Sequence, residues 1–375
     1  MKVLSTKIFN SFMILIIVAN IVALGVPIPS WLDENSLKTS EALKSTADLV
    51  IAKDGSGDFL TVNEAVAAAP ENSQTRFVIY VKGGIYSEIV QIEHNKTNIT
   101  IVGDGQDSTI ITGNLNAKDG IKTFYSATLA VNGDDFMAQH FCVQNTAGPA
   151  KGQAVALRVS GDRSIIHRCR IESYQDTLYA FVGRQFYRDS YITGTVDFIF
   201  GHAAAVFQYC QIVARKPIRG QSNMITAQNR DNEDQTSGFS IQRCNITASP
   251  DLSAVKTKVK TYLGRPWGIM ATVVVMESFI DDHIDPAGWF PWDNDRERLS
   301  SLYYAEYNNK GPGANTSERV KWKGFRVIRN PKEAENFTVD QLIRGSLWIN
   351  STRVPYEKGL MVDIICASVK RSYCG

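Results

Sequence analysis

Between His167 and Thr247 four similar short segments recur, HRCRIES, YRDSYITG, FQYCQIV and IQRCNIT, each with an isoleucine after a polar or cysteine position. Ile171, Ile192 and Ile212 are 21 and 20 residues apart, and Ile246 follows 34 later, as an inserted loop would place it. A period of this length with no helix between the strands predicts a solenoid in which each turn of chain stacks on the one before. β-rich runs separated by Gly, Asn and Asp extend the pattern from RFVIYVKGGIY to ATVVVMESFI. The competing architecture, a β-sandwich, brings strands back every 8–12 residues through hairpins, a shorter spacing than these isoleucines keep. The expected fold class is therefore all-β, a parallel β-helix. Helix is expected only in FLTVNEAVAAAP, Phe59 to Pro70, and near VDQLIRG.

The segments outside the repeat set the organisation. Lys2 and Lys7 precede an apolar run from Phe12 to Val26, broken only by Asn20, with Ala23 and Gly25 near its end. This is the order of a secretory signal over residues 1–25, and the run falls short of the roughly 20 residues that a membrane-spanning helix prefers. Residues 26–46 read as a short polar leader and 47–375 as the folded domain. Removing the signal lowers Lys+Arg from 40 to 38, against 38 Asp+Glu. A near-neutral chain without basic runs argues against a nucleic-acid partner. Sequons at Asn95, Asn98, Asn245, Asn315, Asn336 and Asn350 suit an exported glycoprotein. Six cysteines in 375 residues allow one or two stapling bridges, and neither they nor the five histidines show the spacing of a metal site.

YQDTLY and GTVDFIFG each set one aspartate, Asp176 and Asp197, among aromatic and β-branched residues. A buried carboxylate without a partner is costly. Their separation is 21 residues, and Gln153 lies 22 before Gln175, so each interval is about one coil. Stacked strands are about 4.8 Å apart, which brings both carboxyls and both amides to one face of successive coils. Two carboxyls that close cannot both ionise freely, and one becomes available as an acid. The spacing suits either a retaining glycosidase or an ester hydrolase with a carboxylate nucleophile. The glutamines favour the esterase, because neutral N–H donors stabilise an oxyanion and not an oxocarbenium ion. There is no G-x-S-x-G elbow for a serine esterase, and KDGSGDF reads as a turn.

Seven stretches in order, GGIYSE, QNTAGP, QAVALRV, YQDTLY, GTVDFIFG, YLGRPW and IDPAGW, make the chain resemble plant pectin methylesterases from about Ala47 to Pro355. The resemblance implies an all-β, right-handed single-stranded parallel β-helix that hydrolyses methyl esters of homogalacturonan with no metal or cofactor. It implies Asp197 as nucleophile, Asp176 as general acid/base, Gln153 and Gln175 as the oxyanion hole, and Arg265 as the partner of the nucleophile. Trp267 and Thr123 correspond to substrate-binding positions. Aromatic faces at Tyr179, Phe200, Trp289 and Trp292 are expected to line a sugar cleft.

On electrostatic grounds Arg265 should depress Asp197 and leave Asp176 protonated. The implied partners are methyl-esterified pectin and a proteinaceous inhibitor, the expected state is monomeric, and the expected location is the cell wall. Departures from the family pattern are His202 beside the nucleophile strand, Ser190 where cysteine is common, and the apolar GIMATVVV after Trp267. Cys210 and Cys244 correspond to a bridge of the family. The twenty or so residues after the signal leave no room for the helical inhibitor-like pro-region of many relatives. The rival readings are another β-helix polysaccharide enzyme, a glycosidase or lyase, and an inactive wall-binding homologue.

Overall fold

The computed structural model describes residues 34–292 and 297–361. Its strands form three parallel sheets of 11, 7 and 8 strands, the right-handed parallel β-helix expected from the repeat and the resemblance. One coil consists of Arg170–Glu172, Leu178–Ala180 and Arg184–Arg188, and the next of Tyr191–Gly194, Ile199–Gly201 and Ala204–Gln208. The isoleucines that revealed the period are one column: Ile171 pairs with Ile192, Ile192 with Ile212, and Ile212 with Ile246. The column continues to Ile280 and back through Val143 and Ile111 to Tyr86. All of these side chains are buried in the main core. Burying one such residue is worth about 1.5–3 kcal/mol, and β-branched side chains stack well on a pleated surface. The 34-residue interval arises from two loops in one coil, 215–222 and 229–237, which flank the strand Asn223–Gln228.

The corner between the 11-stranded and 8-stranded sheets is made by one left-handed residue per coil. His140, Arg168, Asp189, Tyr209, Arg243, Glu277 and Asn308 occupy this position with φ between 49° and 56°. The next residue then turns inward. At that place Ser190 donates to the carbonyls of Ile166 and Arg188, Cys210 to Tyr187 and Gln208, Cys244 to Phe207 and Gln242, and Ser278 to Ile241 and Met276. A small side chain carrying one donor satisfies the corner carbonyls, which is why serine substitutes for cysteine at Ser190. Cys210 and Cys244, which correspond to a bridge of the family, meet side chain to side chain on adjacent coils as unlinked thiols, each also directed at backbone carbonyls. Cys142 and Cys169 are also free, while Cys366 and Cys374 lie outside the described residues.

Short helices and loops cover what the solenoid leaves open. The expected N-terminal helix spans Val62–Ala68, starts at a Thr61–Glu64 capping box, and buries Val62, Ala65 and Val66 against the first coils. Leader residues Glu34–Ser45 form a further helix on the strands Phe77–Val81 and Ile99–Gly103. At the other end Val339, Ile343, Trp348, Ile349 and Val354 pack on Met137, Ile165, Phe186 and Val206 of the 11-stranded sheet. This covering explains GIMATVVV. Thr272–Met276 is a strand of that sheet, with Val273 and Val275 in the interior and Val274 and Met276 beneath Ala334 and Ile328. The apolar character of Thr272–Met276 reflects burial on both faces.

Candidate active site

The outer face of the 7-stranded sheet carries a row in strict register, Ala130, Arg158, Tyr179, Phe200 and Ala227. Beside this row, where the chain turns in from the 8-stranded sheet, lie Gln153, the Gln175–Asp176 pair and Asp197. Gln153 and Gln175 are bridged in parallel on adjacent coils. The register of Leu178 with Ile199 sets Asp176 one coil from Asp197. Both aspartates are left-handed, φ 62° and 51°, a region that Asp and Asn enter more readily than most residues. The conformation bends each carboxyl out of the strand and over the cleft, at a backbone cost of about 1–2 kcal/mol that an ordinary turn does not require.

Arg265 reaches back to this pair from the end of the strand Thr261–Gly264. Its Nε donates to Asp197 Oδ1 at 2.8 Å and its Nη2 to Oδ2 at 2.5 Å, a bidentate clamp. Two glycines let the GRPWG loop lie flat on the coil below. A Cβ on Gly264 would come within 2.0 Å of Thr226 Oγ1, and one on Gly268 within 2.2 Å of the Arg230 carbonyl. Gly264→Ala is therefore expected to lower stability by about 1–3 kcal/mol and to displace Arg265. Thermal unfolding together with methanol-release assays on that variant checks both effects.

The cavity above the two aspartates measures about 370 Å³. Thr123, Phe124, Gln153, Gln175, Asp176, Tyr179, Asp197, Phe200, Ala227, Arg265, Trp267 and Trp292 line it. Its floor is aromatic: Tyr179 stacks on Phe200 at 4.2 Å, Phe200 meets Trp267 at 6.1 Å, and Trp267 stacks on Trp292 at 6.3 Å. The Arg265 guanidinium lies 4.3 Å from the Trp292 ring centre. The side-chain amides of Gln153 and Gln175 have no protein partner among the described residues, so their N–H groups are available to a ligand.

Burial raises both carboxyls above the usual carboxylate range. For Asp176 the neighbouring Asp197 charge adds to burial, Arg265 opposes it only weakly, and the carboxyl is held well above that range. For Asp197 burial also comes first, and the Arg265 hydrogen bonds and charge oppose it. The two carboxyls therefore ionise in the expected order, Asp197 before Asp176. Arg265 lowers the Asp197 pKa as expected, but desolvation of a side chain only 7% exposed outweighs the ion pair and the net shift is upward.

Ten of the eleven site residues named from sequence meet at this cleft: Asp197, Asp176, Gln175, Gln153, Arg265, Thr123, Trp267, Tyr179, Phe200 and Trp292. Trp289 does not. It is 1% exposed, packs on Tyr304 at 4.4 Å, and donates from Nε1 to Glu306, which also accepts from Arg319. Its backbone pairs with Gly264, so it closes the coil that carries Arg265 instead of lining the cleft. Of Trp289 and Trp292, it is Trp292 that reaches the cleft. Phe124 was missed although it follows Thr123. Nothing local in the sequence marks it, because it is brought to Tyr179 by Arg158, whose guanidinium lies 3.8 Å from its ring centre. His202 lies outside the cleft, half-buried, with its ring 4.8 Å from that of Phe181. Burial lowers its pKa, so it is neutral at neutral pH.

The sequence matches the Pectinesterase family over residues 48–346, with the paired carboxyls and their arginine inside that range. The chain belongs to the pectinesterase family. It is 62% identical over 336 residues to pectinesterase/pectinesterase inhibitor 18 of Arabidopsis thaliana, covering 88% of this chain and 60% of that protein. It is 58% identical over 335 residues to pectinesterase 3 of Solanum lycopersicum, covering 89% of this chain and 61% of that one. The chain thus spans about three-fifths of the length of these relatives. Pectin methylesterase from carrot superposes with a TM-score of 0.83 at 52% identity, over 84% of this chain and 98% of the carrot chain.

Proposed function

We propose that this chain hydrolyses methyl esters of galacturonate units in pectin, releasing methanol and leaving free carboxylates. The observation that carries the reading is the pair of buried carboxyls on adjacent coils, one clamped by Arg265 and the other without a hydrogen-bonded cation. Family membership supplies the substrate class.

The ionised Asp197 attacks the ester carbonyl carbon, and the carbonyl oxygen becomes an oxyanion held by the side-chain N–H groups of Gln153 and Gln175. As the tetrahedral intermediate collapses, the C–O bond to the methoxy group breaks and Asp176 gives its proton to the departing methanol. An acyl anhydride with Asp197 remains. Asp176, now a carboxylate, takes a proton from water, and the hydroxide attacks the acyl carbon. The acyl C–O bond to Asp197 then breaks, Asp197 leaves as a carboxylate, and the galacturonic acid unit is freed as the second product. The proton taken from water restores Asp176, so the cycle closes with one water consumed. Residues Tyr179, Phe200, Trp267 and Trp292 supply apolar faces for the sugar rings, and Thr123 adds a polar contact at the rim.

The reading extends to the rest of the protein as follows. Residues 1–25 act as a secretory signal, 26–46 as a leader and 47–375 as the catalytic domain. The enzyme works as a monomer in the cell wall and is a target for a proteinaceous inhibitor. A methanol assay with methylated pectin tests the activity; reducing ends or unsaturated products in place of methanol would show a glycosidase or lyase. The rate should follow a bell in pH. Activity rises as Asp197 loses its proton and falls as Asp176 loses its own, so both limbs lie above the pH at which free aspartates titrate. Initial rates between about pH 3 and 10 measure this, and an acid limb at the ordinary carboxylate value would contradict the burial argument.

A further inference from the structure

The loop that carries Arg265 and Trp267 is held from two sides. The coil below takes it by backbone bonds, Arg265 N to Thr226 O at 2.9 Å, Gly268 N to Gln228 O at 3.0 Å, and Met270 N to Arg230 O at 2.9 Å. These bonds engage the N–H groups. The carbonyls face the other way, toward the short helix Arg298–Ser301 of the following coil. Arg298 Nη1 donates to the carbonyls of Trp267 and Pro266. Ser301 Oγ donates to Ile269 O at 2.7 Å, and Tyr303 N donates to Ala271 O at 2.9 Å.

We infer that Arg298 is a positioning residue for the ester hydrolysis proposed above, fixing Arg265 and Trp267 through the backbone that carries them. Pro266 has no N–H, so the two residues between Arg265 and Gly268 have one backbone N–H for bonding downward. Their carbonyls are the remaining points at which the turn can be held, and among the described residues both receive Arg298. A charge-assisted donor shared by adjacent carbonyls restrains the direction of the peptide planes as well as their position. The consequence falls on the two side chains flanking Pro266. Arg265 must reach back two coils to meet Asp197 in bidentate geometry, and Trp267 must keep its stack with Trp292. A displacement of about 1 Å in such a positioning element can lower a rate by about 100-fold.

A residue needed only for folding would lower the melting temperature and leave the enzyme that remains folded with wild-type chemistry. Positioning has a further signature. When the turn loosens, Arg265 opposes the burial of Asp197 less, and the acid limb of kcat/KM moves to higher pH. The test compares wild type, Arg298→Ala and Arg298→Lys in methanol release from methylated pectin across pH, with the melting temperature of each. The expected result for Arg298→Ala is a 10- to 100-fold loss in kcat/KM, with the acid limb displaced upward. Arg298→Lys, which keeps a cationic donor, should recover part of both and remains informative if the alanine variant fails to fold. An unshifted acid limb and unchanged kcat/KM in folded Arg298→Ala, or in Arg298→Lys when only that variant folds, would overturn the inference while leaving the esterase reading intact. Wild-type protein that releases no methanol overturns both.

Discussion

Asp197→Ala is expected to abolish methanol release, with turnover reduced by about 10⁴-fold or more as for other removed nucleophiles, and to lower stability at neutral pH. The activity loss follows from removal of the carboxyl that Arg265 clamps, at 2.8 and 2.5 Å. The stability loss has two sources. Arg265, with 21% of its side chain exposed, loses its counter-charge in a largely buried site. Breaking a buried pair from one side costs about 3–5 kcal/mol; the exposed fifth of the arginine, and removal of a carboxylate whose burial outweighs its ion pair, together reduce this to about 1–2 kcal/mol. Alanine must also hold the left-handed φ of 51°, where aspartate is better tolerated. Chemical denaturation at pH 7 and a methanol assay measure both quantities, and undiminished turnover would sink the assignment of the nucleophile.

Asp176→Asn should also damage activity, less than loss of the nucleophile does, but with the opposite sign in stability. The amide cannot deliver a proton to methanol or take one from water, so turnover falls by about 10²–10⁴-fold. Asp176 is buried next to a second carboxyl, and both effects raise its pKa, burial first. For an acid whose pKa is higher in the folded state, the stabilising contribution is complete below the unfolded value and is lost as pH rises through the folded one. The wild type therefore carries a penalty at pH 7 that asparagine, neutral at every pH and at ease at a φ of 62°, does not. The variant should be more stable than wild type by about 1–2 kcal/mol at pH 7, in the range that relief of a strained functional site commonly returns. The difference should shrink toward zero near pH 3, where both forms are uncharged. Melting curves at pH 3 and 7 decide the point; a variant equally stabilised at both would place the cause in packing and not in charge.

Together the two substitutions separate roles that sequence alone ranked only in part. Spacing showed that Asp176 and Asp197 fall one coil apart and that Gln153 and Gln175 do likewise, because a solenoid converts a sequence interval of about 21 into adjacency. It also gave the column of isoleucines and the all-β architecture. What spacing could not show was the weight of desolvation. Arg265 is visible in GRPWG and its attraction for Asp197 was foreseen, yet whether an ion pair or burial prevails depends on how much water the surrounding coils exclude. Trp289 illustrates the same limit. An aromatic residue in IDPAGW can face a cleft or a core, and the choice was made by Glu306 and Arg319, which come from other segments and complete a buried polar cluster around its Nε1. Phe124 and Arg298 went unnoticed because each acts through a partner more than 30 residues away.

Local sequence was sufficient wherever a property repeats along the chain. Isoleucine spacing determines strand register because one face of every strand must be buried, and the two aspartates inherit their adjacency from that register. Tertiary structure alone decided properties that depend on what packs around a group: the common rise of both carboxyl pKa values, the withdrawal of Trp289 into the core, and the bracing of the arginine loop. Dielectric environment and hydrogen-bond partners come from many coils at once, so no single interval in the sequence encodes them.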